Sequence, residues 1–476
     1  MKPQRPLRVA VVGHTNTGKT SLLRTLTRDT GFGEVSSRPS TTRHVEGARL
    51  LADGVVQVEL FDTPGMEDPI GLLERLESLA RAGDDGLARI ERFLHEAEND
   101  TRFEQEAKVL RQLRASDAGL YVVDARDPVL AKHRDELTIL GGCAVPLLPV
   151  LNFVHSPEAD LAGWREALSR IGLHAQVRFD TVTPERDGER LLYEKLATLL
   201  DDFRPTLTAL IAAREREAAA RHQAALRLVA DMLIDVAAMR DDVPARGNLP
   251  AQPSAMEAEG PNEAKGRAEA EEAGSAFHSA FHARVSVREQ VCVEALLELY
   301  RFRPHDVDAA QLPLAAGRWE EDPFSPEALQ RMGVRLGTGA AAGAAAGAGV
   351  DVLLGGTTLG AGAAIGALAG GGAQVLRQFG ARLFGTEAPA RGVDDGVLRL
   401  VALRQLHLVR ALEARGHAAI EPVQQFAARV DELREGRLPR ALRQARQHPE
   451  WLVQDSAARE RARDALLADL REWGQT

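Results

Sequence analysis

The chain has 476 residues, 44% of them hydrophobic and 27% charged, and a net charge of −10. That length exceeds one ordinary core, so two or three structural units are expected, and the negative balance without a long basic block counts against tight nucleic-acid binding. Only Cys143 and Cys292 occur, neither with metal-ligand spacing, which argues against a disulfide framework or a zinc site and points to a reducing, cytoplasmic setting.

Leu7 to Val12 is an apolar run that reads as a buried strand. It empties into Gly13-His14-Thr15-Asn16-Thr17-Gly18-Lys19-Thr20-Ser21, a complete phosphate-loop pattern. A strand, a glycine-rich turn and a helix in that order aim several backbone N–H groups and the positive end of the helix dipole at one anion. In such a loop Gly13 and Gly18 take conformations closed to other residues. Lys19 offsets the β- and γ-phosphate charge, and the Thr20 hydroxyl is placed to ligate Mg²⁺.

Ser21 to Arg28 carries Leu22, Leu23 and Leu26 at helical spacing. Ser36 to His44 is polar and broken by Pro39, a loop between two expected strands and within reach of the phosphates. Val55 to Phe61 is the next strand, ending at Asp62-Thr63-Pro64-Gly65. An aspartate at a strand's carboxyl end can hold a magnesium-bound water, and the glycine N–H can meet a γ-phosphate oxygen.

The phosphate loop, Thr41-Thr42-Arg43 and Asp62-Thr63-Pro64-Gly65, in that order and spacing, resemble the Era and TrmE branch of the translation-factor-related GTPases over roughly residues 7 to 203. The resemblance implies an α/β P-loop NTPase domain with a mostly parallel sheet and helices on both faces. It also implies that Thr42, next to Thr41, is a second Mg²⁺ ligand, and that Asn16 holds a K⁺ ion in place of an arginine finger. Lys19, Asn16 and Thr42 are then the catalytic set. Met66 stands where Ras-like enzymes have a glutamine that orients water, so intrinsic turnover should be slow.

Residues 67 to 114 form a helix-prone insertion broken at Gly83-Asp84-Asp85-Gly86 into two expected helices. Two readings stand, a solvated decoration and a lever that carries switch movement to a protein partner. Ala118 to Val123 and Val145 to Leu151 are further strands. The second ends Asn152-Phe153-Val154-His155 where the family has Asn-Lys-x-Asp, so the guanine-reading carboxylate is missing. Asn152 can still touch the base edge and Phe153 can stack on the ring. GTP is expected, with ATP less strongly excluded than usual.

After this first domain, taken as residues 1–205, a long helix is expected over 206–240, an acidic proline-containing linker over 241–275, and a helical domain over 276–476. The all-α second half contains a glycine-rich hairpin at 336–376, with Gly339, Gly343 and Gly347 on one arm and Gly362, Gly366 and Gly370 on the other. Lipid association, packing against flanking helices and self-assembly are all compatible with this stretch. Arg434, Arg437, Arg440, Arg443 and Arg446 form a basic row beyond it, either a solvated face or a contact for anionic headgroups.

A phosphate-loop domain joined to such a half resembles the GTPases that carry a DUF3482 region. The reading is a Mg²⁺-dependent, K⁺-stimulated switch that binds GTP and GDP, coupled to a membrane- or partner-associated helical region. The alternative is a nucleotide-binding module with vestigial or ATP-directed hydrolysis.

Overall fold

The structure is a computed structural model of the 476-residue chain, and it describes residues 5–29, 32, 45–96, 102–241, 284–302, 391–393, 395–417, 419 and 438–473. Thr41 and Thr42, nearly all of the acidic linker and the glycine-rich stretch 336–376 lie outside the described residues.

Six strands make one sheet: β1 (Leu7–Val12), β2 (Glu46–Ala52), β3 (Val55–Asp62), β4 (Ala118–Asp124), β5 (Leu147–Asn152) and β6 (Val177–Arg178). Their spatial order is β2-β3-β1-β4-β5-β6, parallel except for the β2–β3 hairpin. The hairpin turns on Asp53 and Gly54, both at positive φ, the two-residue turn whose twist matches paired strands. Every residue of β4 and β5 is buried, as expected of central strands covered on both faces. β2 alternates exposed and buried residues at the sheet edge.

One face packs α1 (Lys19–Thr27) and α7 (Gly188–Leu199) through Leu22, Leu26, Leu192 and Leu196. The other face carries Leu72, Ile90, Leu110, Leu140 and Leu168, from α2 (Pro69–Ser78), α3 (Gly86–Glu96), α4 (Glu104–Arg114), α5 (Ala131–Gly141) and α6 (Leu161–Arg170). Among its described residues the insertion therefore forms three helices rather than two. Phe103, only 2% exposed, starts α4 and meets Phe93 of α3 edge-on at 6.2 Å, so an aromatic anchor begins the third helix.

The described chain falls into two compact units. The first comprises the described residues of Met1–Arg221, Tyr300–Val307 and Ala411–Glu421; the second comprises those of His222–Leu299, Asp308–Arg410 and Pro422–Thr476. Helix α8 (Arg204–Ala238) contributes Leu207 and Leu210 to the core of the first unit. Its later residues, among them Leu226, Val229, Leu233 and Val236, are buried and belong to the second.

The second unit is helical apart from a two-residue pairing of β7 (Arg240–Asp241) with β8 (Arg391–Gly392). It contains α9 over residues 284–299, most of α10 (Asp395–Ala414), α11 (Arg440–Ala445) and α12 (Ala457–Trp473). Asp235 of α8 accepts from Arg288 Nε at 2.7 Å and Arg459 Nη2 at 2.8 Å, which joins three helices by charge-assisted bonds. No helix among the described residues is long and apolar enough to cross a membrane.

Candidate functional site

The phosphate loop leaves β1 at Gly13 and enters α1 through Gly18, whose φ of 92° is left-handed and costs glycine nothing. Asn16 is also left-handed, at φ 66°, and its side chain is exposed. Thr17 Oγ1 donates to His14 O at 3.0 Å. Lys19 is 7% exposed, and its Nζ donates to Gly13 O at 2.9 Å and His14 O at 2.7 Å. The ammonium is thereby fixed against the loop's own carbonyls.

Asp62 ends β3 beside this loop and is 1% exposed. Its Oδ2 accepts from Thr20 Oγ1 at 2.6 Å, while its buried Oδ1 has no hydrogen-bond partner. Burial pushes the carboxyl up to about 6, against the hydrogen bond from Thr20 and the charge of Lys19. An orphaned carboxylate oxygen next to a hydroxyl, with a phosphate loop alongside, is an all-oxygen donor set that suits Mg²⁺. The residues present fit that ion. Among the described residues no cluster of three His, Cys, Asp or Glu side chains offers a protein cage for a metal.

The turn after Asp62 is pressed onto the phosphate loop. Thr63 Oγ1 donates to Val11 O at 2.7 Å, and Met66 forms a parallel bridge with His14. A Cβ on Gly65 would overlap the Thr15 hydroxyl and lie 2.8 Å from Thr15 Cα. Met66 is 1% exposed within the core, so its side chain orients no water at this site. Glu106 of α4, itself buried, accepts from the N–H groups of Glu67 at 3.0 Å and Asp68 at 3.1 Å. The insertion thus grips the residues that follow Gly65 by a buried carboxylate, and sequence reasoning missed this because the partners lie in separate elements.

A second buried acid escaped notice for the same reason. Glu136 of α5 is fully buried and accepts from Tyr121 Oη at 3.1 Å, leaving its Oε1 without a partner. Burial pushes it up to about 7, opposed by Lys19, Tyr121 and Lys132. On unfolding it returns toward 4.5, so the folded chain holds the extra proton between those values and stability falls as pH rises through that window. Glu136→Gln is expected to flatten this decline, checked by urea midpoints at about pH 5 and about pH 8. At the loop's other side Lys132 Nζ meets His14 Nε2 at 3.0 Å, and burial, helped by Lys132, holds His14 down at about 4.

At the base side, Asn152 is fully buried and ties three segments together. Its Nδ2 donates to Thr17 O at 3.0 Å, and its Oδ1 accepts from Phe153 N at 2.9 Å and Thr181 N at 3.0 Å. Its Oδ1 and one Nδ2 hydrogen are engaged within the protein, which gives Asn152 a scaffolding role, and Nδ2 carries a second N–H of the kind a base contact uses. Phe153 is left-handed at φ 56°, and the Arg126 guanidinium covers one face of its ring at 3.9 Å.

His155, at the missing aspartate's position, is half exposed, with Nδ1 3.1 Å from Thr183 Oγ1 and 3.4 Å from Asp180 Oδ2. Asp180 cannot stand in for the lost carboxylate. Its Oδ1 accepts from Val182 N at 2.9 Å and Thr183 N at 3.1 Å, and its Oδ2 accepts from His155 N at 3.3 Å.

The structure gathers Gly13 to Ser21, Asp62, Gly65, Asn152 and Phe153 around one loop. Thr41 and Thr42 lie outside the described residues.

The chain is similar to known proteins in both of its halves. The model of the 50S ribosome-binding GTPase family matches residues 8–152, and that of a domain of unknown function, DUF3482, matches residues 165–472. GTPase Era of Mycobacterium leprae is 39% identical over 74 residues, 15% of this chain and 24% of that protein, so the chain spans about a quarter of that relative. Among solved structures, an Aquifex aeolicus Era variant bound to GDP·AlF4⁻ is 18% identical, covering 42% of this chain and 57% of that one, with a TM-score of 0.29. Era in complex with MgGDPNP and a segment of 16S ribosomal RNA gives the same identity and coverage and a TM-score of 0.30. The G domain of the T. maritima FeoB iron transporter is 19% identical over 41% of this chain and 98% of that one, with a TM-score of 0.23. With the DUF3482 match running from residue 165 to 472 behind an Era-like P-loop GTPase domain, the chain belongs to the DUF3482 family.

Proposed function

We propose that the chain is a Mg²⁺-dependent GTP switch that hydrolyses GTP to GDP. The observation that carries this is Asp62, buried beside Lys19 and Thr20 with one carboxylate oxygen unsatisfied. Lys19 and the loop N–H groups hold the phosphates. Thr20 supplies a metal oxygen, and Asp62 accepts from a metal-bound water. Mg²⁺, when bound, neutralises charge on the β- and γ-phosphates. Gly65 N–H reads the γ-phosphate, and Glu106 transmits its position into the insertion through the Glu67 and Asp68 N–H groups. In this reading Asn16 holds K⁺, which compensates for the glutamine that the buried Met66 replaces.

A second reading, purine promiscuity, is favoured by one observation, the imidazole of His155 where a carboxylate would accept two guanine N–H bonds. A single imidazole nitrogen accepts one hydrogen bond from either guanine or adenine. His155→Asp is therefore expected to raise the preference for GTP over ATP by about tenfold or more. Titration of fluorescent GTP and ATP onto both proteins, with Mg²⁺ and K⁺ varied, checks this. No affinity of the intact chain for either triphosphate would overturn the switch reading itself.

A further inference from the structure

We propose that the described residues of Arg415–Ala419, which follow α10 in the family's second half, are a structural part of the nucleotide's base site and set the rate of nucleotide release. The proposal rests on the nucleotide-binding reading above. Arg415 to Ala419 turns tightly, with Ala419 N donating to Gly416 O at 3.0 Å and Arg415 Nη2 donating to Ala419 O at 2.9 Å. The turn lies directly on the loop that follows β6. Gly416 N donates to Val182 O at 2.9 Å, and a Cβ on Gly416 would overlap the Thr181 carbonyl oxygen and lie 2.7 Å from its carbon. Thr25 Oγ1 of α1 donates to that same carbonyl at 3.2 Å.

Thr181 is thus held on both sides, and it is fully buried. Its N–H is one of the three groups that fix Asn152, whose Nδ2 reaches the phosphate loop at Thr17. Three hydrogen-bonded links therefore run from residue 416 to the loop that grips the phosphates.

The segment is itself anchored within the first unit. His417 stacks on Phe302 at 4.5 Å and 9°, and its Nε2 lies 3.0 Å from Tyr300 O. Tyr300 Oη donates to Glu413 Oε1 at 2.8 Å. A side chain at 416 would push Thr181 away, release one acceptor contact of Asn152 and loosen the base loop while leaving Lys19, Thr20 and Asp62 untouched. The effect belongs in the dissociation rate, where most changes in affinity at a fixed site appear.

The test measures release of fluorescent GDP and GTP from the full-length chain carrying Gly416→Val, with Thr25→Val as a second variant that removes one hydroxyl donor without adding bulk. Both are expected to speed release of both nucleotides in equal proportion, by about tenfold for Gly416→Val and less for Thr25→Val. Both should also narrow the difference between guanine and adenine nucleotides. Unchanged release rates in a folded variant would overturn the proposal, as would a change in the GTP-to-GDP ratio, which would place the effect at the phosphates. If Gly416→Val does not fold, Thr25→Val decides alone, and a wild-type release rate from it defeats the claim. Failure of the unmodified chain to bind GDP would instead refute the nucleotide-binding reading.

Discussion

Lys19→Ala is expected to abolish measurable GTP hydrolysis and to weaken triphosphate binding by roughly a hundredfold or more, about 3 kcal/mol. The lysine is the loop's own buried cation, held by the Gly13 and His14 carbonyls, and no backbone N–H can replace its charge against a triphosphate. Its removal has a second effect. Glu136 loses the opposing charge of Lys19, and a buried carboxylate without a partner cation is costly when ionised. The variant should accordingly lose more stability at about pH 8 than at about pH 5, where Glu136 takes up a proton. Fluorescent-nucleotide titration reads the first effect and urea denaturation at the two pH values the second. Retention of near-normal GTP affinity would remove Lys19 from the site.

Asn152→Ala should be the most damaging change on the base side. It deletes three hydrogen bonds at once and leaves Thr17 O, Phe153 N and Thr181 N to find other partners. At about 1 kcal/mol or more for each buried group left unpaired, roughly 3 kcal/mol of stability is expected to go. Nucleotide affinity should fall at least tenfold, because the phosphate loop and the loop after β6 lose their common tie. Urea midpoints and nucleotide titration, run on the same preparation, separate the two losses. A variant with normal affinity and lowered stability would make Asn152 a fold residue only.

The parts of the site that were legible in the sequence are those written in contiguous residues. Gly13 to Ser21 and Asp62 to Gly65 each encode a strand end, a turn and a set of donors within a few positions, so chemistry follows from spacing alone. The parallel sheet was legible because β1, β4 and β5 are short apolar runs bounded by turn residues. Long-range partners were not. Glu106 meets Glu67 and Asp68 from another helix, Glu136 turns inward from a helix that otherwise reads as half-polar, and Gly416 is one of 42 glycines.

Asn152 illustrates the same limit in reverse. Its place in the motif was plain, but its commitment to Thr17 and Thr181 emerges only when three segments come together. The break between α3 and α4 was likewise hidden, since Phe103 marks a helix start by packing on Phe93 rather than by any capping side chain.

The described chain enters the nucleotide-bearing unit three times, within Met1–Arg221, Tyr300–Val307 and Ala411–Glu421. During synthesis, then, the loop carrying Thr181 waits for a residue made more than two hundred positions later before its carbonyl is covered. Nascent chains stalled before residue 411 are expected to leave the Thr181 carbonyl without its Gly416 cover, so this unit is completed by residues far downstream of its first two hundred.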